Sequence, residues 1–356
     1  DGADRAPRSQ LRFLNGLRRL SDAGIDTFVV HGNHDPLNGR YSRISWPERV
    51  HTFNDVPSWA VASKGNVPIA NIQGVSYPRS SIVENLLPGF ISPPSDELFK
   101  IGLLHCNVGG HPDHDNYAPC TVDDLVRIGM DYWALGHIHT RQTLKKENPT
   151  IIYPGNIQGR HPGESGSHGC VLVGVNHNGG VETEFIELDV VRWESTEIPI
   201  ENIQGIDNLV DSISDRLEYL RSIAAGRNLV CRLTLSGRGP LHEELGKGET
   251  LAAVLEEVHS NQFQDSPWVW IERLRDKTLP EINLAQRASQ DDFLGSVLRE
   301  IDGVDPDVYM ELLSEIFSGR RHQLKFPRED NQRKDLIMEW IEKAQWILAE
   351  KFSVQE

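Results

Sequence analysis

The chain opens on a helical rhythm. Leu11, Leu14, Leu17 and Leu20 recur at three-residue spacing between arginines, which predicts an amphipathic helix over residues 9–23, stopped by Gly24. The pattern then changes. Short apolar runs at 26–30, 100–104 and 131–135 predict buried strands, and each run ends in a polar, histidine-bearing loop. Further strands are predicted at 150–153, 170–175 and 181–188. Beyond residue 193 the texture shifts again. Ile206, Leu209, Val210, Ile213, Leu217, Leu220 and Ile223 mark a long amphipathic helix, followed by a strand at 228–236. Thr250 is expected to cap a second helix through Leu251, Val254, Leu255 and Val258, and residues 268–271 read as another strand. The last eighty residues or so predict helices at 291–301, 307–317 and 335–352, the third with Ile337, Trp340, Ile341, Ala344 and Leu348 on one face. The whole reads as α/β: a domain over 1–192, a small α/β module over 193–278 and a helical tail over 279–356.

Composition narrows the function. The chain has 356 residues, 38 % of them hydrophobic and 25 % charged, an ordinary globular balance. No run approaches the roughly 18 apolar residues of a membrane helix, so no membrane partner is expected and the cytoplasm is the default compartment. Cys106, Cys120, Cys170 and Cys231 have no CxxC spacing, which argues against a zinc ribbon. The formal net charge of -16 argues against a broad nucleic-acid-binding surface, since phosphate neutralisation normally needs a basic one. Any such contact must use a local basic patch, bound metal or a partner chain.

Histidine is unevenly placed. Of the 14, only His242, His259 and His322 come after residue 177. Asn33, His34, His105, His137 and His139 all follow predicted strands, where α/β sheets place their sites. In an extended His137-Ile138-His139 segment both imidazoles face one side. Imidazole nitrogen and amide oxygen suit divalent metals such as Mn, Fe or Zn.

Three elements, Gly32-Asn33-His34-Asp35, the lone His105 and Gly136-His137-Ile138-His139, resemble in order the later motifs of the calcineurin-like metallophosphoesterases. The stretches around Leu103–Gly110 and Tyr153–Arg160 are similar to the SbcD-like DNA repair exonucleases, in particular their YhaO-type bacterial branch. The resemblance implies a four-layer α/β/β/α sandwich with a capping domain. It implies Asn33, His105 and His137 as ligands of one metal and His139 as a ligand of its neighbour. His34 would then stabilise the transition state or protonate the leaving oxygen. It further implies two divalent ions, Mn2+ foremost with Fe2+, Zn2+ or Mg2+ as alternatives. DNA is the implied substrate, an SbcC-like coiled-coil ATPase the implied partner of the tail, and a homodimer is allowed. The family's D-x-H motif and bridging aspartate have no counterpart. The expectation is that the chain lacks its true N-terminus and that Asp1-Gly2 is the tail of a GD-x-x-D-G motif, Asp1 standing near His34. Two rival readings stay open: a phosphoesterase of small nucleotides or phosphoproteins, and a non-catalytic subunit with an incomplete metal site.

Weaker signals are set aside. Gly246-Lys247-Gly248 lacks the strand and the hydroxyl of a P-loop. The 111–115 segment with Cys106 and Cys120 reads as a polar loop rather than a zinc knot. Arg160 is read equally as a phosphate contact or a surface salt bridge, and the basic cluster Arg320, Arg321 and Lys325 as a solvated turn.

Overall fold

The computed structural model describes residues 7–39, 45–91, 97–110, 115–262, 267–303, 305, 307–309, 311 and 330–353. They fall into two compact units, Asp1–Glu194 and Ser195–Glu356, and the architecture is α/β.

The first unit begins with α1 (Pro7–Asp22), whose Leu14 and Leu17 are buried. A short parallel pair follows, β1 (Thr27–Val29) and β2 (Val50–Thr52). The main sheet has six strands: β3 (Ser58–Lys64), β4 (Val67–Gly74), β5 (Phe99–His105), β6 (Tyr132–Gly136), β7 (Gln142–Lys145) and β8 (Thr150–Tyr153), in the order β3-β4-β5-β6-β8-β7. The central four are parallel, and the two edge strands are antiparallel to their neighbours. Parallel strands are covered on both faces and therefore read as continuous apolar runs, as β6 and β8 do. Trp133, Leu104, Leu135, Ile151 and Tyr153 fill the core, each worth roughly 1.5–3 kcal/mol on burial. Trp133 lies across Gly102 of the next strand, where any side chain would collide with its ring. Between β5 and β6 lies α2 (Val122–Ile128). Thr121 and Asp124 close a reciprocal capping box at its start, and Gly129 ends it with φ +81°. Its Leu125 carbonyl accepts from Trp133 Nε1 at 3.2 Å. A hairpin of β9 (Gly169–Val175) and β10 (Val181–Glu187) completes the unit's sheets.

The second unit is built on a sheet of β11 (Val191–Pro199, in this unit from Ser195 onward), β12 (Asn228–Ser236) and β13 (Val269–Asp276), with β12 central. Every second residue of β12 is buried: Leu229, Cys231, Leu233 and Leu235. These pack with Leu209, Ile213, Leu217 and Leu220 of α3 (Ile206–Ile223) and Val254 and Val258 of α5 (Gly248–Gln262). A register shift at Cys231/Arg232 sets Arg232 opposite Arg273. Helix α5 starts at Gly248, so Thr250 lies inside its first turn and does not cap it. The preceding α4 (His242–Leu245) ends at Gly246, and no strand leads into Gly246-Lys247-Gly248. The tail supplies α6 (Leu284–Ala288), α7 (Phe293–Gly303) and α8 (Asp330–Ser353), with Leu294, Leu298, Ile337 and Ala349 buried. Arg238 lies over the Trp346 ring at 3.4 Å. The helix expected at 307–317 and the basic cluster Arg320, Arg321 and Lys325 fall mostly or wholly outside the described residues. Among the described residues, no helix is long and apolar enough to cross a membrane.

Candidate metal centre

The parallel pairing fixes where the polar loops emerge. His105 ends β5 and is in register with Gly136 at the end of β6, so the His137 loop leaves the sheet beside His105. Strand β1 pairs with β2 and belongs to neither larger sheet, but the turn after it is tied to the segment following β4. Tyr77 N donates to the His31 carbonyl at 3.0 Å, Leu37 N to the Tyr77 carbonyl at 2.9 Å, and His31 N to Ser76 Oγ at 3.0 Å. That anchorage carries Asn33 and His34 to the same end of the sheet.

At the centre, His105 Nε2 lies 2.9 Å from Asn33 Oδ1. The His105 ring stands edge-on to Tyr77 at 5.3 Å and to His137 at 5.2 Å between centroids. Two glycines make the space. A Cβ on Gly32 would lie 2.5 Å from the His105 ring, and one on Gly136 would lie 2.9 Å from its Nδ1. The glycines of the two motifs are thus walls of one slot for one imidazole. Burial is the main cause that lowers the His105 pKa to about 3, and the neighbouring His137 adds to it. A neutral imidazole with a lone pair to offer is the result. His137 is also lowered, first by burial, and His139 and His34 push it the same way. His34, His137 and His139 thus all lie within electrostatic reach of His105, and Asn33 touches it directly.

The backbone at His137 differs from the extended segment that alternation suggests. His137 has φ +99°, a region costly for a residue with a Cβ, on the order of 1–3 kcal/mol. Ile138 is buried, while His137 and His139 are only half-buried. A kink, not a pleat, turns both imidazoles away from the core. His137 Nε2 donates to the Asp115 carbonyl at 2.9 Å, and Asn107 Nδ2 reaches the same oxygen at 3.2 Å. Tyr153 of β8 supports this loop by donating to the Cys106 carbonyl at 2.8 Å and accepting from Val108 N at 3.1 Å. His34 is exposed. Its turn is pinned by Asp35, which accepts from Gly32 N at 2.8 Å and lies 3.3 Å from His31 Nδ1. Burial raises the Asp35 pKa, but the hydrogen bonds from His31 and Gly32 outweigh it and leave the carboxyl below its usual range.

Sequence reasoning missed Glu164. This carboxylate, 8 % exposed, lies 2.7 Å from His139 Nδ1 and accepts from Arg160 N at 2.8 Å and Asn156 Nδ2 at 3.0 Å. Burial raises its pKa, yet the hydrogen bonds from Arg160, His139 and Asn156 bring it down to about 2. Glu164 stands in a glycine-rich polar stretch, and its only signal was the neighbouring Arg160. That arginine does pair with it, Nη2 to Oε1 at 3.3 Å.

Residues 2–141 match the calcineurin-like phosphoesterase family, and residues 193–279 match the middle domain of metallophosphoesterase YhaO. The chain is 37 % identical over 356 residues to the uncharacterized metallophosphoesterase YhaO of Bacillus subtilis strain 168, covering 99 % of this chain and 84 % of that protein. The chain belongs to the calcineurin-like phosphoesterase family. More distant relatives of this phosphoesterase are DNA double-strand break repair proteins Mre11. That of Sulfurisphaera tokodaii is 26 % identical over 41 % of this chain and 37 % of its own length. That of Archaeoglobus fulgidus is 23 % identical over 57 % and 51 %.

Members of the family generally use two divalent metal ions, and the donor chemistry of this phosphoesterase can be tested against that. Metal–ligand bonds of about 2.1 Å at right angles put neighbouring donors about 3 Å apart, close to the 2.9 Å between His105 Nε2 and Asn33 Oδ1. The buried oxygens of Tyr77 and Asn156 have no hydrogen-bond partner among the described residues, where such groups are normally satisfied. Among the described residues no three His, Cys, Asp or Glu side chains form a metal-holding group by themselves. Any ion held here would therefore need a donor of another kind, and the Asn33 amide oxygen is the one beside His105. Asp1, the carboxylate expected near His34, and residues 111–114 of the polar loop lie outside the described residues. With that set, the donors present fit a divalent ion.

Proposed function

We propose that this phosphoesterase hydrolyses DNA phosphodiester bonds, with Asn33, His105 and His137 holding one divalent ion, most favourably Mn2+, and His139 contributing to a second. The observation that carries the reading is the meeting of Asn33 Oδ1 and His105 Nε2 at 2.9 Å, with His137 alongside. The pair of ions, when bound, supplies a water of lowered pKa and positive charge for the phosphoryl oxygens. The residues do the rest. The slot between Gly32 and Gly136 fixes the His105 ring, and burial keeps it neutral. Asp35 holds the turn that presents His34 to solvent, where its imidazole can give a proton to the departing oxygen. A general acid so placed contributes roughly 10²–10⁴-fold.

DNA as substrate is supported by the likeness to the two Mre11 proteins, DNA double-strand break repair proteins by name. It is also supported by a second unit beyond what phosphoester chemistry alone needs. We further propose that the C-terminal helices dock an SbcC-like coiled-coil ATPase; Met338, Ile347 and Phe352 of α8 are exposed. The test compares Mn2+-dependent hydrolysis of linear duplex DNA, a cyclic nucleotide and a phosphopeptide by the same preparation. Preferential loss of the DNA phosphodiester supports the reading. Turnover of only the small substrates replaces it with a small-nucleotide or phosphoprotein activity, and no turnover with bound metal replaces it with a binding subunit.

A further inference from the structure

Glu164 lies outside every motif that pointed to the metal centre, yet five polar contacts converge on its carboxylate. One carboxylate oxygen meets His139 Nδ1 at 2.7 Å, Arg160 Nη2 at 3.3 Å and His161 Nε2 at 3.4 Å. The other accepts from the Arg160 backbone at 2.8 Å and from Asn156 at 3.0 Å. Its side chain is 7 % exposed, against 24 % for His139 and 43 % for Arg160. It faces inward beneath two residues that face outward.

The geometry settles which nitrogen of His139 carries the proton. A carboxylate only accepts, so a nitrogen 2.7 Å from it must donate. The Arg160 Nη2 group also lies 3.1 Å from Nδ1, but two donors do not bond, so its hydrogen goes to Glu164. The neutral ring then has its lone pair on Nε2.

We propose that Glu164 is a positioning residue of the metal centre: it fixes His139 with Nε2 as the ligating atom and pins the Arg160 guanidinium beside it as an anchor for a phosphoryl oxygen. This rests on the reading of His139 as a metal ligand. A carboxylate behind a ligating imidazole orients the ring and raises its basicity, and removing such partners costs roughly 10–100-fold in metal affinity. Arg160 is suited to the second task, because its fork geometry matches a phosphate and its backbone and side chain are both tied to one buried group.

The test is equilibrium Mn2+ titration of the full chain, followed by electron paramagnetic resonance, for the wild type, Glu164→Ala, Glu164→Gln and His139→Ala. The ¹⁵N shifts of His139 in the metal-free protein report the tautomer. Glu164→Ala is expected to weaken one bound ion roughly 10–100-fold and to release His139 from the Nδ1–H form. Glu164→Gln, whose amide oxygen still accepts from Nδ1–H, recovers most of the affinity. Arg160→Ala weakens binding of inorganic phosphate about tenfold and leaves Mn2+ affinity in place. If His139→Ala loses metal while Glu164→Ala keeps both affinity and tautomer, the positioning role is overturned and the metal centre stands. If His139→Ala also keeps its metal, the metal-centre reading fails and this proposal with it. Should Glu164→Ala not fold, the wild-type tautomer decides: Nδ1–H supports the assignment and Nε2–H overturns it.

Discussion

In β12 of the second unit, Leu229, Cys231, Leu233 and Leu235 are buried at alternate positions among leucines, isoleucines and valines from α3 and α5. At the end of β5 in the first unit, His105 is held by two missing side chains, at Gly32 and Gly136, one amide oxygen and two aromatic rings. The first arrangement tolerates exchange, because hydrophobic residues of similar volume repack at small cost. The second does not, because each neighbour has one chemical task. Stability and function are thus carried by different kinds of contact, and perturbing each should give a different signature.

The largest contrast is expected from His34→Ala. This residue is exposed, so folding and metal content stay near normal while phosphodiester turnover falls roughly 10²–10⁴-fold. A variant that keeps its turnover would remove His34 from the chemistry. The converse is Leu217→Ala, at a fully buried position of α3. It should cost about 2–5 kcal/mol in urea unfolding of the second unit and leave Mn2+ binding unaltered. Gly32→Ala joins the two signatures. Its new Cβ would strike the His105 ring, so metal affinity falls while overpacking costs about 1–3 kcal/mol. If metal binding survives that substitution, the slot is not what positions the ring.

The smallest effect is one that only acid removes. Glu164 has its pKa brought from 4.5 to about 2 in the folded chain. A carboxyl lowered by folding adds stability that is complete above its unfolded value and is lost as the pH falls through its folded one. The wild type should therefore be more stable than Glu164→Gln above pH 4.5, by about 1 kcal/mol once solvent screening is allowed for. The gap should close as the pH falls through about 2. Urea melts at several pH values measure it, and a gap that does not vary with pH would refute the ionised hub.

How much of this could be read beforehand depended on which contact was at stake. Where apolar periodicity alone decides, the elements were legible: α3, β12 and β8 lie where the pattern puts them. The β3–β4 hairpin was not legible. Asn71 and Gln73 are buried in β4 while Val67 and Ile69 are exposed, which inverts the usual signal. The short α2 also escaped notice, since it rests on the Thr121–Asp124 capping box more than on a long apolar face. At the candidate site, histidines after strands drew attention because imidazole is rare and chemically suggestive. Glu164 did not, since carboxylates in polar loops are common and only its burial sets it apart. The kink at His137 was likewise hidden, because alternation says which residues share a face only if the backbone is extended.

The central claim is that the loops after β1, β5 and β6 form a metal centre. It is tested most directly by Mn2+ titration of the wild type against His137→Ala, read as bound ions per chain and as affinity. The account predicts that His137→Ala binds less metal, with affinity reduced more than about tenfold, since even outer-shell partners cost roughly that much. Unchanged stoichiometry and affinity would contradict it and reject His137 as a ligand.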